Sequence, residues 1–212
     1  LGLVSMAISL AVLPRLSQMD AQSQMDAFKG TLTRGLRLVL VLILPAGVGL
    51  LLLGKPVLEL IFEHGAFGPE DTAQALRALR VYLIGLPFSA IDLPLVFAFY
   101  AQKDTRTPVI VGIISVAAYL LVAPALAFGL RLGFIGLVAA NAIQWLSHAL
   151  IMLVVFARRF GGMGGYGVVR ITLQAGGASL AMGAVVYASY RLLTPLAPAG
   201  LLGSAMLAAL PT

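Results

Sequence analysis

The sequence has 212 residues, of which 60% are hydrophobic and 10% charged, and its mean hydropathy is +1.02. A soluble domain carries about a quarter charged residues to cover its core, so the composition excludes that class and indicates lipid as the main solvent. The net charge is +6, but the basic residues are scattered between apolar runs, which argues against a nucleic-acid partner. The absence of cysteine excludes disulfides, a thiolate nucleophile and cysteine-ligated zinc.

Apolar runs of membrane-spanning length recur along the chain. The first run, residues 1–13, ends at Pro14 and is followed by a polar stretch over residues 17–29. Further spans are predicted over residues 38–53, 81–101, 109–130, 134–157 and 171–190, and another begins near Ala199. Residues 56–80 are mixed and acidic, which predicts an interfacial segment. We therefore predict an all-α, polytopic transmembrane helix bundle with about six complete spans plus partial ones.

Two helix starts and several internal prolines have local signatures. Gly68 and Pro69 followed by acidic residues predict one helix start, and Thr107 before Pro108 predicts an N-cap with proline in the first helical position. Four prolines fall inside predicted spans, where each should free a backbone carbonyl that a neighbouring group must satisfy: Pro45, Pro87, Pro94 and Pro124.

The orientation follows from the basic residues. Most of them lie in the loops after the first, third and fifth spans, and basic loops face the cytoplasm. The loops around residues 17–29, 102–107 and 161–167 are therefore predicted to be cytoplasmic, and the acidic segment around Glu63 to face outward.

No hydrolytic or redox constellation is visible. The sequence has two histidines, no metal-ligand pair at helical spacing, and no lysine in a glycine-rich phosphate-loop frame. The glycine-rich stretch at residues 161–167 is interpreted as a flexible connector. We expect no enzyme, no cofactor and no metal site.

Asp92 lies near the middle of the third span, between Pro87 and Pro94. A carboxylate there costs at least ~2.5 kcal/mol on insertion scales, so it marks a candidate site for substrate or coupling ion. The alternative is a structural hydrogen bond to a backbone group freed by the prolines.

The fifth span places Asn141, Gln144 and His148 on one helix face, at i, i+3 and i+7. This stripe either lines an aqueous or cation route or joins helices by hydrogen bonds. Histidine changes charge near neutral pH, which would suit proton coupling at His148.

The sixth span presents Gly176, Ser179 and Gly183 on one face. Such a small-residue ridge favours close helix packing. A groove for a lipid chain is the functional alternative.

Three stretches together resemble the MurJ/MviN family of the MOP exporter superfamily. They are L-P-R-L-S at residues 13–17, G-K-P-V-L-E-L-I-F-E-H-G-A-F at 54–67, and F-Y-A-Q-K-D-T-R-T-P at 99–108, which closes the span containing Y-L-I-G-L-P. The resemblance implies structural roles for the motif residues Gly65, Phe67, Phe99, Tyr100, Asp104, Thr105, Thr107 and Pro108.

The resemblance implies a fourteen-helix, MATE-like transporter of the bacterial inner membrane with two lobes around a central cavity. Such proteins move lipid II, the polyprenyl-pyrophosphate-linked peptidoglycan precursor, by ion-coupled alternating access, and so serve cell wall biogenesis and cell shape. Residues 1–160 would form the C-terminal lobe, and residues 161–212 the two additional helices that hold the polyprenyl tail, the last one truncated. The N-terminal lobe, with the cavity arginines, would be a partner in the same chain.

Other readings stay open. A related polysaccharide-lipid flippase or a multidrug exporter would share the architecture, a scaffold would lack Asp92 and His148, and an enzyme acting on polyprenyl phosphates would need a basic cluster beside its acids. Family members with a sodium site carry an asparagine in the fourth span, where this sequence offers only Ser115 and Tyr119 as polar side chains.

Overall fold

The computed structural model describes residues 2–21 and 23–193, and the span predicted to begin near Ala199 lies outside them. The described chain forms six α-helices. They are α1 (Gly2–Ser17), α2 (Met25–Phe62), α3 (Pro69–Ala101), α4 (Arg106–Pro124, followed by a π-helical turn Ala125–Gly129), α5 (Phe134–Phe160) and α6 (Val168–Leu193).

Five of these helices, α2 to α6, are long and apolar enough to cross a membrane, and α1 is a shorter apolar helix. The predicted all-α membrane bundle is confirmed. The predicted interfacial segment at residues 56–80 is not a separate element, because α2 continues to Phe62 and α3 already begins at Pro69. These helix ends mix charged and apolar residues, so the long apolar runs marked only the central part of each helix.

The helix start at Pro69 is confirmed: Gly68 precedes it, and the Gly68 N–H donates to the Asp71 carboxylate at 3.0 Å. The predicted cap at Thr107 is wrong, because α4 begins earlier, at Arg106. The capping oxygen belongs to Asp104, which accepts the Thr107 N–H at 3.0 Å and the Thr107 hydroxyl at 2.7 Å. An aspartate is as good a cap as a threonine, and here it satisfies two donors at once.

Pro94 shows how the bundle absorbs an internal proline. Proline lacks an N–H, so Pro94 leaves the carbonyl of Ala90, one turn back, without its helical donor. The Ser5 hydroxyl of α1 donates to that carbonyl at 2.8 Å, and Ser5 is buried. This contact ties α1 to the middle of α3, next to Asp92.

Helix α3 lies at the centre and runs parallel to α5. Three levels of contact mark their interface. A Cβ on Gly85 would lie 2.9 Å from the Cα of Ala142, which shows how closely the two backbones cross there. Further along lie Asp92 beside His148 and, beyond them, Phe99, whose ring centroid is 6.3 Å from that of Phe156.

The loops after α1, α3 and α5 meet at one end of the bundle, which we call the loop end. Gln102 donates to the Met19 carbonyl at 2.9 Å and accepts the Ala21 N–H at 3.2 Å. Tyr166 donates to Asp26 at 2.6 Å, which fastens the glycine-rich loop to the start of α2. The three loops predicted to share one side of the membrane are therefore together in the structure.

Candidate functional site

The central feature is a hydrogen-bonded contact between Asp92 of α3 and His148 of α5. Nδ1 of His148 lies 2.7 Å from Oδ1 of Asp92, and the side chains are 14% and 4% exposed, respectively. Two residues 56 positions apart in the chain thus form a nearly enclosed pair. The freed carbonyl of Ala90 is taken by Ser5, so Asp92 is not engaged with the proline-interrupted backbone.

No other acidic, basic or histidine side chain lies in the apolar stretches of the described helices. These stretches are residues 2–13, 38–54, 81–101, 107–129, 134–157 and 171–189. Ionisable groups at such positions are costly in hydrocarbon unless they pair with one another or face a cavity. The bundle therefore concentrates its intramembrane charge at a single contact.

The surroundings of the pair are apolar or weakly polar. On the α4 side, His148 faces Gly112: a Cβ added to that glycine would lie 3.9 Å from Nε2 of His148. On the other side lies a cavity of about 310 Å³ between α1, α2, α3 and α5. Its lining includes Ala90 and Leu93, on either side of Asp92 in the sequence, and Trp145, one turn from His148. Asp92 and His148 do not themselves line this cavity.

The rest of the polar stripe on α5 is satisfied within its own helix. Trp145 Nε1 donates to Asn141 Oδ1 at 3.1 Å, and Asn141 Nδ2 lies 3.5 Å from Gln144 Oε1. Of the predicted stripe, the structure thus brings His148 to Asp92 and leaves Asn141 and Gln144 paired along α5. Their roles in a cation route stay predictions.

The small-residue ridge of α6 faces two environments. Gly183 is buried against α2, where a Cβ would lie 2.8 Å from Val48 and 3.3 Å from Leu52. Ser179 is also buried and donates to the Ala175 carbonyl at 2.6 Å. A Cβ on Gly176 would meet nothing within 4 Å among the described residues.

The motif residues of the F-Y-A-Q-K-D-T-R-T-P stretch organise the loop end. Phe99 is fully buried, and its ring packs on Phe160 at 5.5 Å between centroids. Lys103 adopts a left-handed φ of 59°, which closes the short turn into α4. Tyr100 is exposed, Thr105 immediately precedes α4, and Pro108 is buried in its first turn.

Asp104 is the electrostatic centre of this turn. Burial would raise the pKa of the Asp104 carboxyl, but hydrogen bonds from Thr107 and the adjacent Arg159 guanidinium outweigh it, so the pKa lies below its ordinary value. Arg159 pairs with Asp104 and stacks 5.8 Å from the centroid of Phe99. Sequence reasoning identified Asp104 but missed Arg159; the signal available was the pair of arginines that ends α5.

The second motif stretch shapes the opposite end. Gly65 has a φ of +62°, a conformation that glycine adopts without strain. Phe67 packs on Phe62 with ring centroids 6.2 Å apart, and the Thr72 hydroxyl donates to Glu63 at 2.8 Å. These contacts turn the chain from α2 into α3.

Aspartate and histidine are both ionisable, so the chemistry that this contact offers is the exchange of a proton. Within residues 2–21 and 23–193, no three His, Asp or Glu side chains come together as a metal site.

A bundle of long apolar helices that encloses two ionisable side chains is the architecture of a multi-pass membrane protein. The model of the family described as lipid II flippase MurJ matches residues 1–205. The chain belongs to this family.

Individual relatives agree with the family match. The chain is 35% identical over 152 residues to a probable lipid II flippase MurJ of Vibrio cholerae, an alignment that covers 71% of this chain and 29% of the relative. It is 33% identical over 153 residues to the lipid II flippase MurJ of Thermosipho africanus, covering 72% of this chain and 30% of that one. The sequence thus spans about a third of the length of these relatives.

A solved structure supports the fold. The chain is similar to a lipid II flippase MurJ in an inward closed conformation, with a TM-score of 0.74 and 26% identity over 98% of this chain and 43% of that one. The recognition of the family from its three motif stretches is confirmed, as is a multi-pass membrane protein.

Proposed function

We propose that this chain is the C-terminal lobe, with two additional helices over residues 161–212, of an ion-coupled lipid II flippase of the bacterial inner membrane. The match over residues 1–205 supports the family. The C-terminal position rests on the order of the three motif stretches, and the lobe would work with an N-terminal lobe of the same chain. Lipid II, moved by alternating access, is the proposed cargo.

The observation that carries the coupling part of this proposal is the Asp92–His148 pair. It is nearly enclosed, it joins two parallel helices, and it holds the only acidic and histidine side chains of the described apolar stretches. A group whose charge depends on one bound proton favours whichever arrangement of α3 and α5 suits that charge state. We propose that proton binding at this pair biases the lobe between its two access states.

The lipid-tail role is proposed for the open part of the α6 ridge. Among residues 2–21 and 23–193, nothing lies within 4 Å of a Cβ on Gly176, whereas α2 lies over Gly183. A polyprenyl chain needs an apolar surface without a covering helix, so within the described residues the groove is proposed at the Gly176 end.

The experiment that tests the function uses the full-length protein in proteoliposomes with fluorescent lipid II. We expect the wild type to translocate the lipid, and Asp92→Asn to lower the rate strongly while expression and membrane insertion stay close to wild type. Ser115→Ala is the matched control, because Ser115 is also buried in a span but donates only to its own helix at Val111.

Absence of lipid II translocation by the wild type would contradict the proposed cargo. Unchanged translocation by Asp92→Asn would leave the cargo standing and remove the pair from the mechanism. An equal loss of translocation in Ser115→Ala would show that removing any buried polar group slows the protein, and that the effect is not specific to Asp92.

A further inference from the structure

A polar pocket of about 280 Å³ lies at the loop end, between the first turns of α2 and the glycine-rich loop. Its lining is formed by Gly30, Thr33, Arg34, Arg37, Gly165 and Tyr166. It is separate from the Asp92–His148 pair and from the α6 ridge. Tyr166 holds the loop over it, since its hydroxyl donates to Asp26 and its carbonyl accepts from Arg37.

Two residues that line this pocket each carry a side-chain polar atom that is buried without a partner. These atoms are the Thr33 hydroxyl oxygen and Nε of Arg37, within the part of the chain that the structure describes. Thr33 is only 2% exposed. Other buried hydroxyls of this chain, such as those of Ser9 and Ser179, donate to the carbonyl one turn back, and Thr33 does not. A buried donor left unpaired is destabilising, and a bound acceptor that reached it would offset that loss.

The pocket also carries positive charge without compensation. Across residues 2–21 and 23–193, neither Arg34 nor Arg37 has a carboxylate within salt-bridge distance. Lys29, one turn before Thr33, is nearly buried and has none either, and its Nζ lies 3.4 Å from where a Cβ on Gly161 would stand. The nearest acid along α2, Asp26, is engaged by Tyr166. Hydroxyl and guanidinium donors around one space are what a phosphate oxygen requires.

The depth of the pocket identifies the source of the phosphate. Arg37 immediately precedes the apolar stretch 38–54 of α2, and α6 begins at Val168, next to the loop. The pocket therefore stands at the level of lipid headgroups, where basic pockets between membrane helices bind anionic lipids. We propose that it binds the phosphodiester headgroup of an anionic glycerophospholipid of the surrounding leaflet, and so holds the glycine-rich loop against α2.

The test measures the thermal midpoint of the full-length protein in phosphatidylcholine nanodiscs with and without phosphatidylglycerol. Phosphatidylglycerol raises the wild-type midpoint. Arg34→Gln and Arg37→Gln lose most of this gain, with a lipid affinity about fivefold weaker for each. Arg158→Gln is the control: it removes a cation from the same end of the bundle, outside the pocket, and keeps the gain.

Thr33→Val separates a ligand-binding hydroxyl from a structural one. In phosphatidylcholine alone its midpoint equals or exceeds that of the wild type, because a methyl replaces an unpaired hydroxyl. With phosphatidylglycerol the order reverses, since the midpoint of the wild type rises more than that of Thr33→Val. A lower midpoint for Thr33→Val in both lipids would overturn the role given to Thr33.

Three further outcomes overturn the proposal. If Arg158→Gln lost the phosphatidylglycerol-dependent gain in midpoint equally, the gain would come from a general attraction between basic residues and the anionic membrane surface. A gain with inorganic phosphate but not with phosphatidylglycerol would assign the pocket to a soluble anion. A gain with lipid II but not with phosphatidylglycerol would make the pocket a cargo site. Because the readout is stability, these results stand apart from whether the protein translocates lipid II.

Discussion

Asp104 joins three elements at the loop end through one carboxylate. It caps α4 through Thr107, it pairs with Arg159 of α5, and its own N–H donates to the Phe99 carbonyl of α3 at 3.0 Å. The residue type and its position could be recognised from the sequence as part of a motif. Its partner could not, because nothing in the sequence shows which of the basic residues near the loop end reaches it.

The free energy of unfolding should depend on pH through the carboxylate of Asp104. The pKa of Asp104 is lowered in the fold from its ordinary value of 3.8, so its contribution is present above that value and is lost as the pH falls through the lowered folded pKa. We expect Asp104→Asn to cost about 1 kcal/mol at neutral pH, and the difference from the wild type to disappear under strongly acidic conditions. Thermal midpoints in detergent over a pH series measure this, with Glu70→Gln, an exposed acid at the opposite end, as the control. A difference that stays constant with pH would contradict the account.

Each helix illustrates what hydropathy can and cannot reveal. The apolar centres of α2 to α6 were predictable because a span must bury its backbone in hydrocarbon. The register of α3 against α5 was not, because it depends on the close approach of Gly85 to Ala142, which places Asp92 level with His148. Composition and spacing identified both residues as candidates, and only three-dimensional packing paired them.

Helix α6 provides a test of its two faces. Gly183→Leu should lower the thermal midpoint of the full-length protein in detergent, since the new side chain meets Val48 of α2 and overpacking typically costs about 1 to 3 kcal/mol. Gly176→Leu should leave the midpoint near wild type and weaken lipid II binding, because it fills open space. Gly177→Leu is the control: a Cβ there also meets nothing within 4 Å among the described residues, and Gly177 lies outside the face that Gly176, Ser179 and Gly183 share. If Gly176→Leu binds lipid II normally, the groove is not at this ridge.

The orientation of the molecule in the membrane follows from two observations. The basic loops meet at the loop end, and basic loops face the cytoplasm. The absence of native cysteines allows single cysteines to be introduced without background from this part of the chain. Cysteines at Ser23 and Gly164 should be shielded from an impermeant thiol reagent in intact cells, and one at Gly68 should be labelled. Ser23 and Gly164 are both exposed at the loop end, so their accessibility should change together when the membrane is opened. Labelling of Ser23 from outside would reverse the orientation.

The order of the spans and the family were predictable from the sequence because each rests on local patterns. Their number was not, because five described helices are long enough to cross a membrane and about six complete spans were predicted. The whole-molecule arrangement was not, since it depends on contacts between distant residues, such as Ser5 with the carbonyl freed by Pro94 and Tyr166 with Asp26. One such contact, the Asp92–His148 pair, is the element that we propose to be proton-linked.

That claim is tested most directly by lipid II translocation in proteoliposomes of the full-length protein, measured with and without an imposed pH gradient. We expect the pH gradient to increase the rate at which the wild type translocates lipid II. The double variant Asp92→Asn/His148→Gln, which keeps two polar side chains able to hydrogen-bond but removes both titrating groups, should translocate at a rate that the gradient does not change. A double variant that still responds to the gradient as the wild type does would contradict the account.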